Sequence, residues 1–150
     1  MSNKQEVLIV LVEDDPGHAR LIGKNLRRAG ITNDLIILTD GQQAVDYLFG
    51  EGAYAESKRP TRLLMLLDLN LPVLDGYQVL KRMKSDERTR RIPVVILTTT
   101  DDTREVARCY ELGCNVYVTK PVEYGQFSEA IRELGLFLSI VAVPNGERVS

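Results

Sequence analysis

Five short apolar runs recur along the chain, at residues 7–12, 35–38, 63–67, 94–97 and 116–119. Most are unbroken rather than alternating, and they are rich in Val, Ile and Leu. Runs of that kind read as strands buried on both faces, as in a parallel sheet covered by helices on either side. Segments of helical period lie between them. Asp15-Pro16 reads as an N-cap followed by a proline at the first helical position. Ile22, Leu26 and Ala29 then mark one face, and Gly30 is a natural stop. Asp40 opens a second helix faced by Ala44, Val45 and Leu48, and Val79, Leu80 and Met83 face a third. Val106, Ala107 and Tyr110 face a fourth, closed by Gly113, and Phe127, Ile131, Leu134 and Leu138 a fifth. The polar, Gly- and Pro-punctuated stretch 50–61 reads as a long surface loop before the third strand.

Strand and helix alternating five times imply an α/β domain, with a parallel five-stranded sheet between two helical layers. Right-handed crossovers leave few topologies, of which the flavodoxin-like order 2-1-3-4-5 is the common one at this size. Periodicity alone does not separate it from other doubly wound orders. A chain of 150 residues suits one domain, read here as 1–143 with a polar tail at 144–150. The net charge of −2 argues against nucleic acid or an anionic membrane as a bulk electrostatic partner. Six apolar residues followed by three acids are neither a signal peptide nor a membrane span, so the expected location is cytoplasmic. Cys109 and Cys114 lack the spacing of a zinc site and read as reduced structural thiols.

Chemistry gathers where the runs end. The first gives Glu13, Asp14 and Asp15, the third Asp68, the fourth Thr98 and the fifth Lys120. In a parallel sheet these carboxyl ends lie along one rim, where open α/β sheets place their ligands. Taken singly, Asp15 is a helix cap, Thr98 a strand terminator and Lys120 a solvated charge. Four such endings on one rim are harder to assign to chance. Two carboxylates about 4 Å apart repel by about 4 kcal/mol at an effective dielectric of 20. Either they take up a proton or a cation sits among them, and carboxylates with a carbonyl and waters suit Mg²⁺. A lysine opposite that cation completes a place for a phosphoryl group. Asp68 is then the nucleophile and Thr98 a hydroxyl for one phosphoryl oxygen.

The acidic pair Asp14-Asp15, the segment D-L-N-L-P-V-L-D-G at 68–76, Thr98, and K-P at 120–121 stand in a fixed order. Their separations are 30 residues from Asp68 to Thr98 and 22 from Thr98 to Lys120. Over about residues 6–140 the chain resembles the receiver domains of response regulators in two-component signalling, with their CheY-like (βα)5 three-layer fold. The resemblance implies that Asp68 is the phosphoacceptor. It implies Mg²⁺ held by Asp15 and Asp68 directly, by the Asn70 carbonyl, and by Asp14 chiefly through water. It also implies Lys120 on the phosphoryl group and a switch pair of Thr98 and Tyr117, with slow autodephosphorylation rather than enzymatic turnover. Thr99 departs from the Ala, Ser or Gly usual after the switch threonine, and its branched side chain is expected to narrow the route to Asp68.

The phrases VEDDPGHARLI, DLIILTDGQQAVDYL and RIPVVILTTT resemble the small receivers that partner phytochrome histidine kinases. A sensor histidine kinase of phytochrome type is therefore the expected partner, with output through protein–protein interaction. The segment from Leu134 to Val143 is apolar nearly all round. A symmetric homodimer through Leu136, Phe137, Ile140, Val141 and Val143 is expected, the alternative being a tail folded back on its own domain. Two other classes compete. An FMN electron carrier on the same fold is disfavoured by three acids where its phosphate would lie. A haloacid-dehalogenase-type phosphatase wants an acid where Asn70 stands.

Overall fold

The computed structural model describes residues 7–28, 30–55, 62–99, 102–120 and Glu129. Ala29, the expected fifth helix apart from Glu129, Pro121 and the apolar segment 134–143 with its expected dimer contacts lie outside the described residues. Strands β1 (Leu8–Val12), β2 (Leu35–Leu38), β3 (Leu63–Leu67), β4 (Val94–Thr98) and β5 (Val116–Thr119) form one sheet. All neighbouring pairs are parallel, in the order β2-β1-β3-β4-β5. Helices α1 (Pro16–Arg28), α2 (Gly41–Phe49), α3 (Gly76–Lys84) and α4 (Thr103–Leu112) connect them, with a 3₁₀ turn at Gly52–Tyr54. Among the described residues no helix is long and apolar enough to cross a membrane.

The unbroken runs are explained by two cores, one on each face of the sheet. Alternate residues of each central strand point to opposite sides. Ile9, Leu11, Leu64 and Leu66 pack with Ala19, Ile22 and Leu26 of α1. Val10, Val12, Met65 and Leu67 pack with the buried faces of α2 and α3. β3 and β4 are buried throughout, whereas edge strand β2 leaves Ile37 46 % exposed.

Local signals set the helix ends. Asp40 caps α2 by accepting the Gln43 amide, and Asp75 with Gln78 forms a reciprocal capping box at the start of α3. Gly113, left-handed at φ 109°, closes α4 as expected. The expected face of α4 is only partly right. Val106 is half-buried, but Ala107 and Tyr110 are exposed, and Cys109 is the residue of α4 that is fully buried. Counting Cys109 as the hydrophobe it resembles in size moves the buried stripe to Val106, Cys109 and Leu112. Burial pushes the thiols up, Cys109 to about 11 and Cys114 to about 12, in keeping with structural roles.

Gly23 sits inside α1, where a Cβ would meet Leu35 Cδ2 at an ordinary 3.7 Å. Gly23→Ala should therefore stabilise the fold by about 0.5–1 kcal/mol through helix propensity. A rise in the urea midpoint at unchanged slope checks this.

Candidate functional site: an acidic and lysine-bearing rim

Register brings the site together. β1 and β3 pair Val12 with Leu67, so the next residue of each strand, Glu13 and Asp68, emerge side by side. β4 and β5 pair Thr98 with Thr119, which sets Lys120 just beyond, its amide bonded to the Thr98 carbonyl at 2.6 Å. Glu13, Asp68, Thr98 and Lys120 are all buried, although three of them are ionisable. Such groups persist in an interior only when they are paired.

The pairing centres on Lys120. Its Nζ donates to Glu13 Oε1 at 2.6 Å and to Asp68 Oδ2 at 3.1 Å. It also lies 3.1 Å from His18 Nδ1. The other Asp68 oxygen accepts the Asn70 amide at 3.2 Å, and Glu13 Oε2 accepts the Asp15 amide at 3.1 Å. Burial pushes the Glu13 carboxyl above its usual range, against the hydrogen bond from Lys120 that lowers it. Thr98 is 0 % exposed, and among the described residues its Oγ1 has no hydrogen-bond partner. A buried hydroxyl left unpaired costs roughly 1–3 kcal/mol, so this one stands ready for an acceptor from outside the protein.

Glu13, Asp14 and Asp68 each bring a carboxylate oxygen within 4.8 Å of the others. Three hard oxygen donors so close, with no thiolate or imidazole among the grouped ligands, fit a hard divalent cation. This corrects one sequence expectation. Asp15 is exposed, and its Oδ1 accepts the amides of Gly17 at 2.8 Å and His18 at 3.0 Å. Its carboxylate caps α1, and the hydrogen bond donated by the His18 backbone amide is the main reason its carboxyl lies below the usual range. Glu13 takes the place in the cluster given to Asp15. The signal was available: Glu13 follows the first apolar run directly, as Asp68 follows the third, whereas Asp15 precedes Pro16 as a cap does.

The remaining candidates fall as follows. Asp14 is exposed at the mouth, and Asn70 is exposed two residues beyond Asp68. Tyr117 is half-buried against the core on the α2 and α3 side, next to Ile96 in the sheet. Thr99 is exposed. His18 touches Lys120 and was absent from the sequence reading, because a lone histidine in a helix carries no pattern.

The loop between β3 and α3 braces the site. The Leu74 amide donates to the Pro72 carbonyl at 2.8 Å, across Val73 at φ 70°. This three-residue turn is the rarer, strained form, in a region that β-branched residues avoid. The Gly41 amide donates to the same carbonyl at 3.3 Å. Gly76 must be a glycine for space: a Cβ there would lie 2.3 Å from the Asp68 carbonyl oxygen and 2.6 Å from Leu69 Cα.

Comparison with known proteins agrees with this geometry. Residues 9–132 match the family model "Response regulator receiver domain". Response regulator Rcp1 of Synechocystis sp. is 45 % identical over 119 residues, 79 % of either chain. The Mn(2+)-bound form of Rcp1 aligns with a TM-score of 0.74 at 40 % identity, over 87 % of this chain and 93 % of the other. A receiver domain from Rhodospirillum rubrum is 58 % identical with a TM-score of 0.74, covering 89 % and 94 %. The phosphorylated cyanobacterial phytochrome response regulator RcpA is 37 % identical with a TM-score of 0.77, covering 93 % and 99 %. The flavin-carrier and dehalogenase readings gain no support from these matches. With its strand order, its rim and this matched span, the chain belongs to the response regulator receiver domain family.

Proposed function

We propose that the chain accepts a phosphoryl group on Asp68 from a sensor histidine kinase, a phytochrome-type kinase by preference, in a Mg²⁺-dependent reaction. The observation that carries the reading is Asp68 held between Lys120 Nζ at 3.1 Å and the carboxylates of Glu13 and Asp14. An Asp68 oxygen bonds to phosphorus as the donor's phosphorus–nitrogen bond breaks, and the electron pair leaves on the kinase histidine. Lys120 meets one phosphoryl oxygen, and the unpartnered Thr98 hydroxyl donates to another. Glu13, Asp14 and Asp68, with the Asn70 carbonyl, are the residues that would hold Mg²⁺. The cation supplies charge neutralisation for the phosphoryl oxygens. Tyr117 turning inward behind Thr98 is the proposed relay to a partner surface, and the protein acts as a phosphoacceptor with slow self-hydrolysis. Similarity to Rcp1 and RcpA supports the phytochrome assignment, and relatives solved phosphorylated and with Mn²⁺ bound support the chemistry.

The test pairs Mg²⁺ titration with phosphoryl labelling. Asp14→Ala should weaken Mg²⁺ binding by roughly tenfold or more, as loss of even an outer partner does at other metal sites. Asp15→Ala should leave Mg²⁺ affinity near the parent's and lower stability by about 1 kcal/mol as a lost helix cap. Affinity should also fall with decreasing pH from above the ordinary carboxylate range, because burial raises the Glu13 carboxyl and its proton competes with the cation. Transfer to Asp68 that proceeds equally without a divalent cation refutes the acidic cluster as its site.

A further inference from the structure

His18 lies on the first turn of α1, half-buried at the mouth of the rim, and it is the one histidine of the chain. A lysine ammonium carries three N–H donors and no acceptor. Around Lys120 Nζ stand three acceptors: Glu13 Oε1 at 2.6 Å, Asp68 Oδ2 at 3.1 Å and His18 Nδ1 at 3.1 Å. The donors are thereby all used, on a side chain only 4 % exposed. His18 Nδ1 must then be the accepting nitrogen, which puts the ring hydrogen on Nε2. The Glu13 and Asp15 carboxylates lie 3.9 and 4.0 Å from the same nitrogen, beyond hydrogen-bond range.

The three bonds differ in strength. Those to Glu13 and Asp68 join opposite charges, whereas His18 offers a neutral lone pair, so its bond is the easiest to exchange. A phosphoryl oxygen on Asp68 needs one N–H from Lys120. We propose that His18 is a positioning residue for phosphoryl transfer: its Nδ1 holds the third Nζ–H of Lys120 and yields it to the incoming phosphoryl oxygen. The proposal rests on Asp68 as phosphoacceptor. Without the imidazole, the shorter Glu13 bond draws the ammonium away from Asp68. The ring is seated by the α1 cap itself, through the His18 amide on Asp15 Oδ1 at 3.0 Å.

The experiment uses the full chain without a histidine tag, with acetyl phosphate and Mg²⁺ at fixed pH, and follows phosphate on Asp68 by mass. His18→Ala should lower the maximal rate about three- to tenfold, the range of one hydrogen bond, at an unchanged half-saturating donor concentration. His18→Asn, which keeps an acceptor oxygen near the Nδ1 position, should restore most of the rate. In a Lys120→Met background His18→Ala should cause no further loss. The ¹⁵N imidazole spectrum of the parent should show a bare, hydrogen-bonded Nδ1 that shifts in Lys120→Met. Equal rates in parent and His18→Ala, no restoration by Asn, an additive loss with Lys120→Met, or hydrogen on Nδ1 and none on Nε2 each overturn the proposal while Asp68 is still labelled. An unlabelled Asp68 in the parent overturns the phosphoacceptor reading and this proposal with it.

Discussion

Asp68→Asn should reduce phosphoryl uptake by a factor on the order of 10³ or more, because a carboxamide cannot take the place of a carboxylate nucleophile. The substitution preserves shape. An asparagine oxygen can still accept from Lys120 Nζ or from the Asn70 amide, the two donors that hold the present carboxylate. It also removes one charge from three acids whose oxygens lie within 4.8 Å of one another. The thermal midpoint should therefore match the parent's or exceed it. Labelling by a kinase or by acetyl phosphate, run beside a thermal melt, separates lost chemistry from lost fold. Equal labelling of mutant and parent moves the phosphoacceptor elsewhere.

Gly76→Ala should be strongly damaging for so small a substitution. The added methyl would meet backbone at 2.3 Å on the Asp68 carbonyl oxygen and 2.6 Å on Leu69 Cα, with no flexible side-chain end to give way. Overpacking of this kind costs about 1–3 kcal/mol, and contact with main chain places it at the upper end. For a domain of this size that lowers Tm by roughly 6–12 °C. The strain falls on Asp68, the proposed phosphoacceptor, so its labelling should slow as well. Gly23→Ala is the control, since the same added methyl finds ordinary contact there. A Gly76→Ala protein that melts with the parent would show that the start of α3 can shift away from β3.

Most of the fold was legible because its signals are local and mutually consistent. Runs such as 63–67 are unbroken since each strand face meets its own helical layer, and Asp40 and Gly113 punctuate the chain where the structure stops and starts. The strand order came from resemblance, because no local pattern records which strands are neighbours. Asp68, Thr98 and Lys120 were legible as the ends of buried strands. Asp15 was misassigned because a capping aspartate and a metal-binding aspartate look alike in sequence. The register of β1 against β3, which sets Glu13 beside Asp68, tells them apart, and so does the place of Asp15 directly before Pro16. The face of α4 was misread because its buried residue is a cysteine, which polarity scales place with the polar residues as often as with the apolar ones.

The strained turn at Val73 makes the two sides of the rim mechanically unequal. A backbone held in an unfavourable region stores roughly 1–3 kcal/mol and persists only where its surroundings over-determine it. Here the Pro72 carbonyl is gripped by two amides, and the capping box of α3 follows directly. The wall behind Asp68 is thus stiff. Across the sheet, the Thr98 hydroxyl has no partner among the described residues, and Thr99 is exposed. A new charge on Asp68 would push against a fixed anvil on the β3 side and find its compliance on the β4 side. The direction in which the site can yield is therefore built in before any ligand arrives.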